Sequence, residues 1–409
     1  IDTGLVLFFE SPKSFTGEDS AEFQVHGGNA VVSAVLSALS KVPGLRPAEP
    51  GEFTKRAFFN GKLDLTEVEG LADLIHAETE FQRRQAVIQA DGHLSKLYKK
   101  WRTQLIKNIA HVEAWIDFSE DENIEDGVLD AMREDLVRLL EEINKHLEDG
   151  RRGERMREGV KIVIAGDTNV GKSSLMNKLV QRDVSIVTAV EGTTRDVIES
   201  VVDINGYPVV ISDTAGIRQS SDVVESEGIS RAKRCVTFAD LVVLLVDGEK
   251  LEKHSIKDFP EYQKLYIEQL GLAAELMNKK VIAVVNKVDL MSKSCRENLE
   301  AQNVLAISCN SSTNIQNFLE EVTTCLKDLC GNPNCESPVL SQARHRFFVQ
   351  DCSRHLREFL ENFDPSREQD FAILVQHLRN AVRSIGRITG EVRTDDVLDV
   401  IFKDFCIGK

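Results

Sequence analysis

The chain has 409 residues, enough for two or three domains. Its 42% hydrophobic and 28% charged content is ordinary for a globular protein, and no apolar run reaches the roughly 18–20 residues of a membrane span. A net charge of −16 argues against indiscriminate nucleic-acid binding and leaves RNA only a local basic patch; the eight scattered cysteines form no CxxC pair and so indicate neither a zinc site nor a disulfide framework.

The chain opens on Ile1, and Leu5-Val6-Leu7-Phe8-Phe9 reads as a strand entered partway through a domain, so its start is expected to be missing. Gly27-Gly28 and the cluster Pro43-Gly44, Pro47 and Pro50-Gly51 punctuate short apolar runs, as in an α/β segment. From Leu63 the pattern turns helical. Thr66 with Glu69 reads as a capping box, followed by Val68, Leu71, Ala72 and Ile75 at helical spacing. Longer stripes predict helices over 94–118 and through Leu136, Leu139, Ile143 and Leu147, whose apolar faces need partners. Arg151-Arg152-Gly153-Glu154-Arg155 reads as a charged linker.

Strands then alternate with helices. Val160–Ala165, Val209–Ser212, Leu241–Asp247, Val281–Asn286 and Val304–Ser308 are apolar, β-branched runs, and Val201–Ile204 leads into Asn205-Gly206, a type I′ hairpin dipeptide. This pattern predicts a mostly parallel, doubly wound sheet. Glu249–Lys280 is longer than a minimal connection and suggests a surface insertion. Past Gly331-Asn332-Pro333 the helical stripes return over Arg344–Phe363 and Phe371–Ile385, with a last one at Asp395–Phe405. The α/β domain is thus expected to be inserted between two halves of a helical domain, with boundaries at 1–62, 63–157, 158–332 and 333–409.

Gly166-Asp167-Thr168-Asn169-Val170-Gly171-Lys172-Ser173 fits G-x-x-x-x-G-K-[ST], after a predicted strand and before a helix, with Ser174 next in line. Backbone N–H groups at such a turn cradle phosphates, Lys172 suits the β- and γ-phosphates, and the Ser173 hydroxyl suits Mg²⁺. Asp213-Thr214-Ala215-Gly216 ends the strand Val209–Ser212, where Asp213 can hold Mg²⁺ through water and Gly216 can donate to the γ-phosphate. Asn286-Lys287-Val288-Asp289 closes another strand; a carboxylate there accepts two N–H groups of guanine, an edge adenine lacks, which selects GTP. Ser308-Cys309 ends the next strand, where a base-contacting loop is expected. Each motif is weak alone, but four in this order at strand ends specify a GTP hydrolase. Residue 217 is Ile where many small GTPases carry a water-orienting Gln, so hydrolysis needs another group. Asn169, whose oxygen could ligate a monovalent cation beside the phosphates, and Glu225, as a base acting through water, are the candidates.

Gly192-Thr193-Thr194-Arg195-Asp196, Asp213-Thr214-Ala215-Gly216-Ile217-Arg218 and the terminal Phe405-Cys406-Ile407-Gly408-Lys409 together resemble the tRNA-modification GTPases of the MnmE/TrmE type. Ser14-Phe15-Thr16-Gly17-Glu18-Asp19, His26-Gly27-Gly28, Pro50–Phe58 and Asn60–Leu65 extend the resemblance over nearly the whole chain. Details such as Pro43–Pro47 and Leu71–Glu78 are most similar to the animal mitochondrial members. The resemblance implies modification of carbon 5 of the wobble uridine of tRNAs with an FAD-dependent partner of the MnmG/GidA type. It implies a one-carbon unit from 5-formyl- or methylene-tetrahydrofolate, and in mitochondria a taurinomethyl product made in the matrix. It also implies an N-terminal domain that binds folate and dimerises, and K⁺-stimulated hydrolysis when two G domains pair. By resemblance K⁺ falls to Asn169 with Thr188, Val190 and Thr193, Mg²⁺ to Ser173 and Thr194, water organisation to Glu225, folate to Glu22, Lys62 and Lys409, and a role in the modification to Cys406. A presequence would precede Ile1, as would the family's first strands with a folate-contacting Arg; Thr168 and Cys309 stand where relatives usually carry Pro and Ala.

Two other readings compete: a ribosome-assembly or RNA-chaperone GTPase, which would carry a basic KH-like domain with a GXXG loop, and a non-catalytic GTP switch, to which Ile217 gives some weight. Lys96, Lys99, Lys100 and Arg102, or Arg344, Arg346, Arg354 and Arg357, are basic clusters that suit RNA phosphates or plain solvated helix faces.

Overall fold

The computed structural model describes residues 1–118, 128–181, 199–212, 233–254, 258–331, 339–364 and 371–392. They divide into two compact units, one built from 1–76, 86–149 and the C-terminal part from 337, the other from 77–85 and 150–336. The second therefore lies within the first in sequence.

The second unit is an α/β domain. Strands β3 (Val160–Ala165), β4 (Glu199–Ile204), β5 (Tyr207–Ser212), β6 (Leu241–Asp247), β7 (Lys280–Asn286) and β8 (Leu305–Ala306) form a six-stranded sheet in the order β4-β5-β3-β6-β7-β8. Only β4 runs antiparallel, in a hairpin with β5. Its turn residues Asn205 (φ 51°) and Gly206 (φ 89°) take the paired positive φ that the Asn-Gly dipeptide predicts. The central strands are mostly apolar because both faces are covered, with Lys161 the exposed exception on β3. Ile162, Ile164, Leu241, Val243 and Leu245 enter one core, while Val163, Ala165, Val242, Leu244 and Val246 enter the other. The strand pattern is as expected except at Val304–Ser308, where only Leu305–Ala306 pairs with β7.

The expected linker is instead a helix, α7 (Arg152–Glu158), and belongs to this unit. Met156 joins the sheet's core, buried Glu154 takes a 2.6 Å bond from Arg151 Nε, and Arg155 Nε reaches Asp240 at 2.8 Å. Three charges of the expected linker, on Arg151, Glu154 and Arg155, are thus engaged in pairs. Residues 77–85 dock on the same unit. Phe81 N–H donates to Gly206 O at 3.3 Å, its ring meets Tyr207 edge-on, and Gln82 Nε2 donates to Arg157 O at 3.0 Å. The insertion 249–280 folds as α9 (Gly248–Lys253), α10 (Phe259–Gln269) and α11 (Ala273–Leu276), burying Phe259, Tyr262 and Tyr266, and α12 (Lys293–Ala301) and α13 (Ile315–Cys330) complete the unit.

In the first unit β1 (Leu5–Phe9) and β2 (Ser20–Gln24) form an antiparallel pair, followed by α1 (Asn29–Leu39), α2 (Glu52–Phe59), α3 (Leu65–His76) and the later half of α4 (Glu80–Ala90), whose residues up to Gln85 belong to the other unit. The cap of α3 lies two residues before the expected one. Asp64 Oδ1 accepts from Thr66 N–H at 3.0 Å and Glu67 N–H at 3.2 Å, while Glu67 Oε2 accepts from Asp64 N–H at 2.7 Å. Thr66 and Glu69 are buried instead. The long helices α5 (His93–Phe118) and α6 (Val128–Leu147) bury their stripes against α14 (Ala343–Asn362) and α15 (Phe371–Thr389). Tyr98, Trp101, Leu105, Leu136, Ile143 and Phe359 fill that core. No helix among the described residues is long and apolar enough to cross a membrane.

Candidate nucleotide site

The site begins where β3 ends. Gly166 has no room for a side chain, since a Cβ would stand 2.4 Å from Leu245 O. Gly171 (φ 100°) is tighter still, with Asn286 Nδ2 2.3 Å from where a Cβ would lie. Between them Asn169 takes the left-handed conformation (φ 61°) and its side chain is exposed at the rim. Helix α8 (Lys172–Gln181) follows, directing its N-terminal N–H groups and dipole at the turn. Lys172 Nζ donates to Gly166 O at 2.9 Å and to Asp167 O at 2.7 Å, while Ser173 and Ser174 are exposed. The glycine cradle, the lysine and the exposed hydroxyl fit a nucleotide phosphate with Mg²⁺.

The base side is tied to this loop by Asn286, at the end of β7 and buried. Its Nδ2 donates to Val170 O at 2.8 Å and its Oδ1 accepts from Cys309 N–H at 3.1 Å. One amide therefore fixes the phosphate loop against the loop after β8. Lys287 (φ 64°) donates to Asp247 Oδ2 at 2.6 Å. Asp289 lines a cavity of about 470 Å³ with Gly171, Ser174, Lys178, Ser308 and Cys309. Burial pushes the Cys309 thiol up to about 11, so it stays protonated and presents a neutral wall.

The structure thus brings together Asn169, Val170, Gly171, Lys172, Ser173, Ser174, Asn286, Lys287, Asp289, Ser308 and Cys309 on one strand-end rim. Thr188, Val190, Thr193, Thr194, Asp213, Thr214, Ala215, Gly216, Glu225, Cys406 and Lys409 lie outside the described residues. Sequence reasoning missed Tyr266. Its hydroxyl accepts from Asp167 N–H at 2.7 Å and donates to Leu245 O at 3.1 Å, bracing the phosphate loop from the insertion. The helical spacing of Tyr262 and Tyr266 marks a buried face, but nothing local says which loop it meets. Lys250 Nζ also reaches Asp167 Oδ2 at 2.5 Å and holds that carboxyl below its usual range.

The N-terminal signature segments meet each other. Asn60 Nδ2 donates to Thr16 O at 2.8 Å, Arg56 Nη1 reaches Glu18 Oε2 at 2.8 Å, and Lys62 Nζ donates to Pro12 O at 2.9 Å. Glu22 is exposed on β2 opposite Leu7, and Lys62 is exposed as well. The basic clusters are largely engaged: Lys99 with Asp64, Lys100 with Glu142, Arg102 with Glu391, Arg344 with Glu69, Arg346 with Asp149 and Arg354 with Asp351. They carry no argument for an RNA surface.

A family model described as the MnmE helical domain matches residues 65–406, and one described as the GTP-binding protein TrmE N-terminus matches residues 1–62. The chain belongs to the MnmE/TrmE family. Among its members, the mitochondrial 5-taurinomethyluridine-[tRNA] synthase subunit GTPB3 of Danio rerio is 49% identical over 417 residues, covering 100% of this chain and 82% of that protein. The Homo sapiens protein of that name is 46% identical with the same coverage, 100% and 82%. The tRNA modification GTPase MnmE of Rhodospirillum rubrum is 44% identical, covering 100% and 85%.

Proposed function

We propose that this chain is the GTP-hydrolysing subunit of an enzyme that modifies carbon 5 of the wobble uridine of tRNAs, making taurinomethyluridine in mitochondria. The observation that carries this reading is the assembled phosphate and guanine site within a chain matched end to end by relatives named for that modification. The main-chain N–H groups at Gly171 and the Lys172 ammonium hold the phosphates, and the Ser173 hydroxyl holds Mg²⁺ together with Thr194. Asp289 accepts the guanine N–H edge, with Ser308 and Cys309 closing over the base. Thr214, Ala215 and Gly216 sense the γ-phosphate, and Asp213 supports Mg²⁺.

Ile217 offers no polar atom to water, so we assign water organisation to Glu225. Asn169 is exposed on the phosphate loop, which fits a K⁺ ligand completed by Thr188, Val190 and Thr193. A monovalent cation there supplies positive charge against the phosphates as negative charge develops. Glu22, Lys62 and Lys409 hold the tetrahydrofolate donor, and Cys406 takes part in the modification. A homodimer through the N-terminal domain, pairing of G domains, an FAD-dependent partner and the mitochondrial matrix complete the proposal.

Steady-state GTP hydrolysis in KCl against NaCl at equal ionic strength tests it. Hydrolysis is expected to be at least tenfold faster in KCl and to lose that preference in Asn169→Ala. Equal rates in both salts would remove the cation from the mechanism. Cys406→Ser is expected to keep the GTPase rate and lose tRNA modification.

A further inference from the structure

Two histidines and a glutamate converge away from the nucleotide site, in the helical pair α14 and α15. His355 and Glu358 stand one turn apart on α14 and share a face, and α15 brings His377 to the same place. His355 Nδ1 lies 3.2 Å and His377 Nδ1 3.0 Å from a single atom, Glu358 Oε2. One ligand atom from each residue falls within 4.8 Å of the other two. In a tetrahedral shell with bonds of about 2.0–2.2 Å, neighbouring ligand atoms stand roughly 3.3–3.5 Å apart, so both nitrogen–oxygen separations are within a few tenths of an ångström of that edge. His377 Nδ1 is shielded from solvent and makes no well-aligned hydrogen bond despite its close approach. Both ring nitrogens face one carboxylate oxygen, which is also the convergence a shared cation requires.

The surroundings suit ligation. Glu358 Oε1 accepts from Arg354 Nη1 at 3.0 Å, which orients the carboxylate and leaves Oε2 for the centre. Asp351 Oδ1 stands 3.8 Å from His355 Nε2, the nitrogen that carries the proton when Nδ1 ligates. Arg354 Nη2 lies 3.1 Å from that nitrogen and donates to it without metal, so ligation requires the His355 proton to move from Nδ1 to Nε2 and Nη2 to turn away while Nη1 keeps its bond to Glu358. Imidazole with one carboxylate is a donor set for Zn²⁺ rather than for Mg²⁺ or Ca²⁺, which prefer all-oxygen shells. We propose that His355, Glu358 and His377 bind a zinc ion that staples α14 to α15, with water in the fourth position.

The test uses the chain freed of metal by chelation, then saturated with GDP and Mg²⁺ so that the nucleotide site is closed to other ions. Zn²⁺ is titrated calorimetrically, and Co²⁺ is titrated while the visible spectrum is followed. One Zn²⁺ per chain is expected. Co²⁺ is expected to give the intense visible bands of a tetrahedral centre without thiolate charge-transfer absorption, which separates this site from the cysteines. His377→Gln and Glu358→Gln should each weaken Zn²⁺ binding by at least about tenfold while GTP hydrolysis stays within about twofold. Absence of stoichiometric binding, or binding that survives both His377→Gln and Glu358→Gln, overturns the proposal. Should His377→Gln fail to fold by circular dichroism, the partly exposed Glu358 variant decides.

Discussion

Asn286 shows how one side chain can do the work of two loops. Its amide donates to Val170 O and accepts from Cys309 N–H in a place almost closed to water. Replacing it with Ala strands both buried backbone groups, at about 1–3 kcal/mol each. Asn286→Ala is therefore expected to lower unfolding stability by a few kcal/mol and to weaken GDP binding by on the order of tenfold or more. Chemical denaturation and fluorescent-nucleotide titration measure the two effects. Tyr266→Phe is the milder comparison: it keeps the packed ring and removes only the bonds to Asp167 N–H and Leu245 O. Its nucleotide affinity should fall several-fold, about 1 kcal/mol. An unchanged affinity would mean that the brace from the insertion is ornamental.

At the scale of elements, caps and pairings decide where helices start and to which unit they belong. Asp64 begins α3 and also meets the Lys99 ammonium at 2.9 Å and the Ser95 hydroxyl. Burial pushes its carboxyl up, but the bonds from Ser95, Thr66 and Lys99 together outweigh burial and hold it below the ordinary 3.8. A depressed folded-state pKa stabilises the fold above the unfolded value, and that contribution is lost as pH falls through the folded value. The stability advantage of wild type over Asp64→Asn should thus be constant near neutrality and shrink below about pH 4. Asp64→Ala should cost a further 0.5–2 kcal/mol or so, the ordinary range for a lost cap. Urea melts at several pH values check both. The sequence pattern suggested Thr66 and Glu69 for this cap because a Thr-x-x-Glu spacing is right for it. Asp64-x-x-Glu67 has the same spacing, and tertiary burial of Thr66 and Glu69 decided between them. The same limit explains α7: its charges look solvated until Asp240 and the buried Met156 are brought beside them.

Across the whole molecule, β3, β5, β6 and β7 were legible because strands covered on both faces are largely apolar, and the phosphate and guanine motifs because they sit at those strands' ends. Tyr266, the docking of residues 77–85 and the His355–Glu358–His377 cluster were not legible, since each depends on segments far apart in sequence. The described residues hold separate cores, two on the faces of the sheet and one around α5, α6, α14 and α15. Among the described residues, the nucleotide site draws only on the sheet unit. A ligand that binds only the folded state adds RT ln(1 + [L]/Kd), about 2.7 kcal/mol at a hundredfold excess over Kd. In scanning calorimetry, GDP at that excess should raise the transition of the sheet unit and leave the helical core's transition in place. Hydrogen exchange identifies which is which, with added protection expected in β3, α8 and the residues around Asn286 and Cys309. One transition that moves as a whole would mean that the two cores unfold as a single cooperative block, so that nucleotide occupancy stabilises the helical unit as strongly as its own.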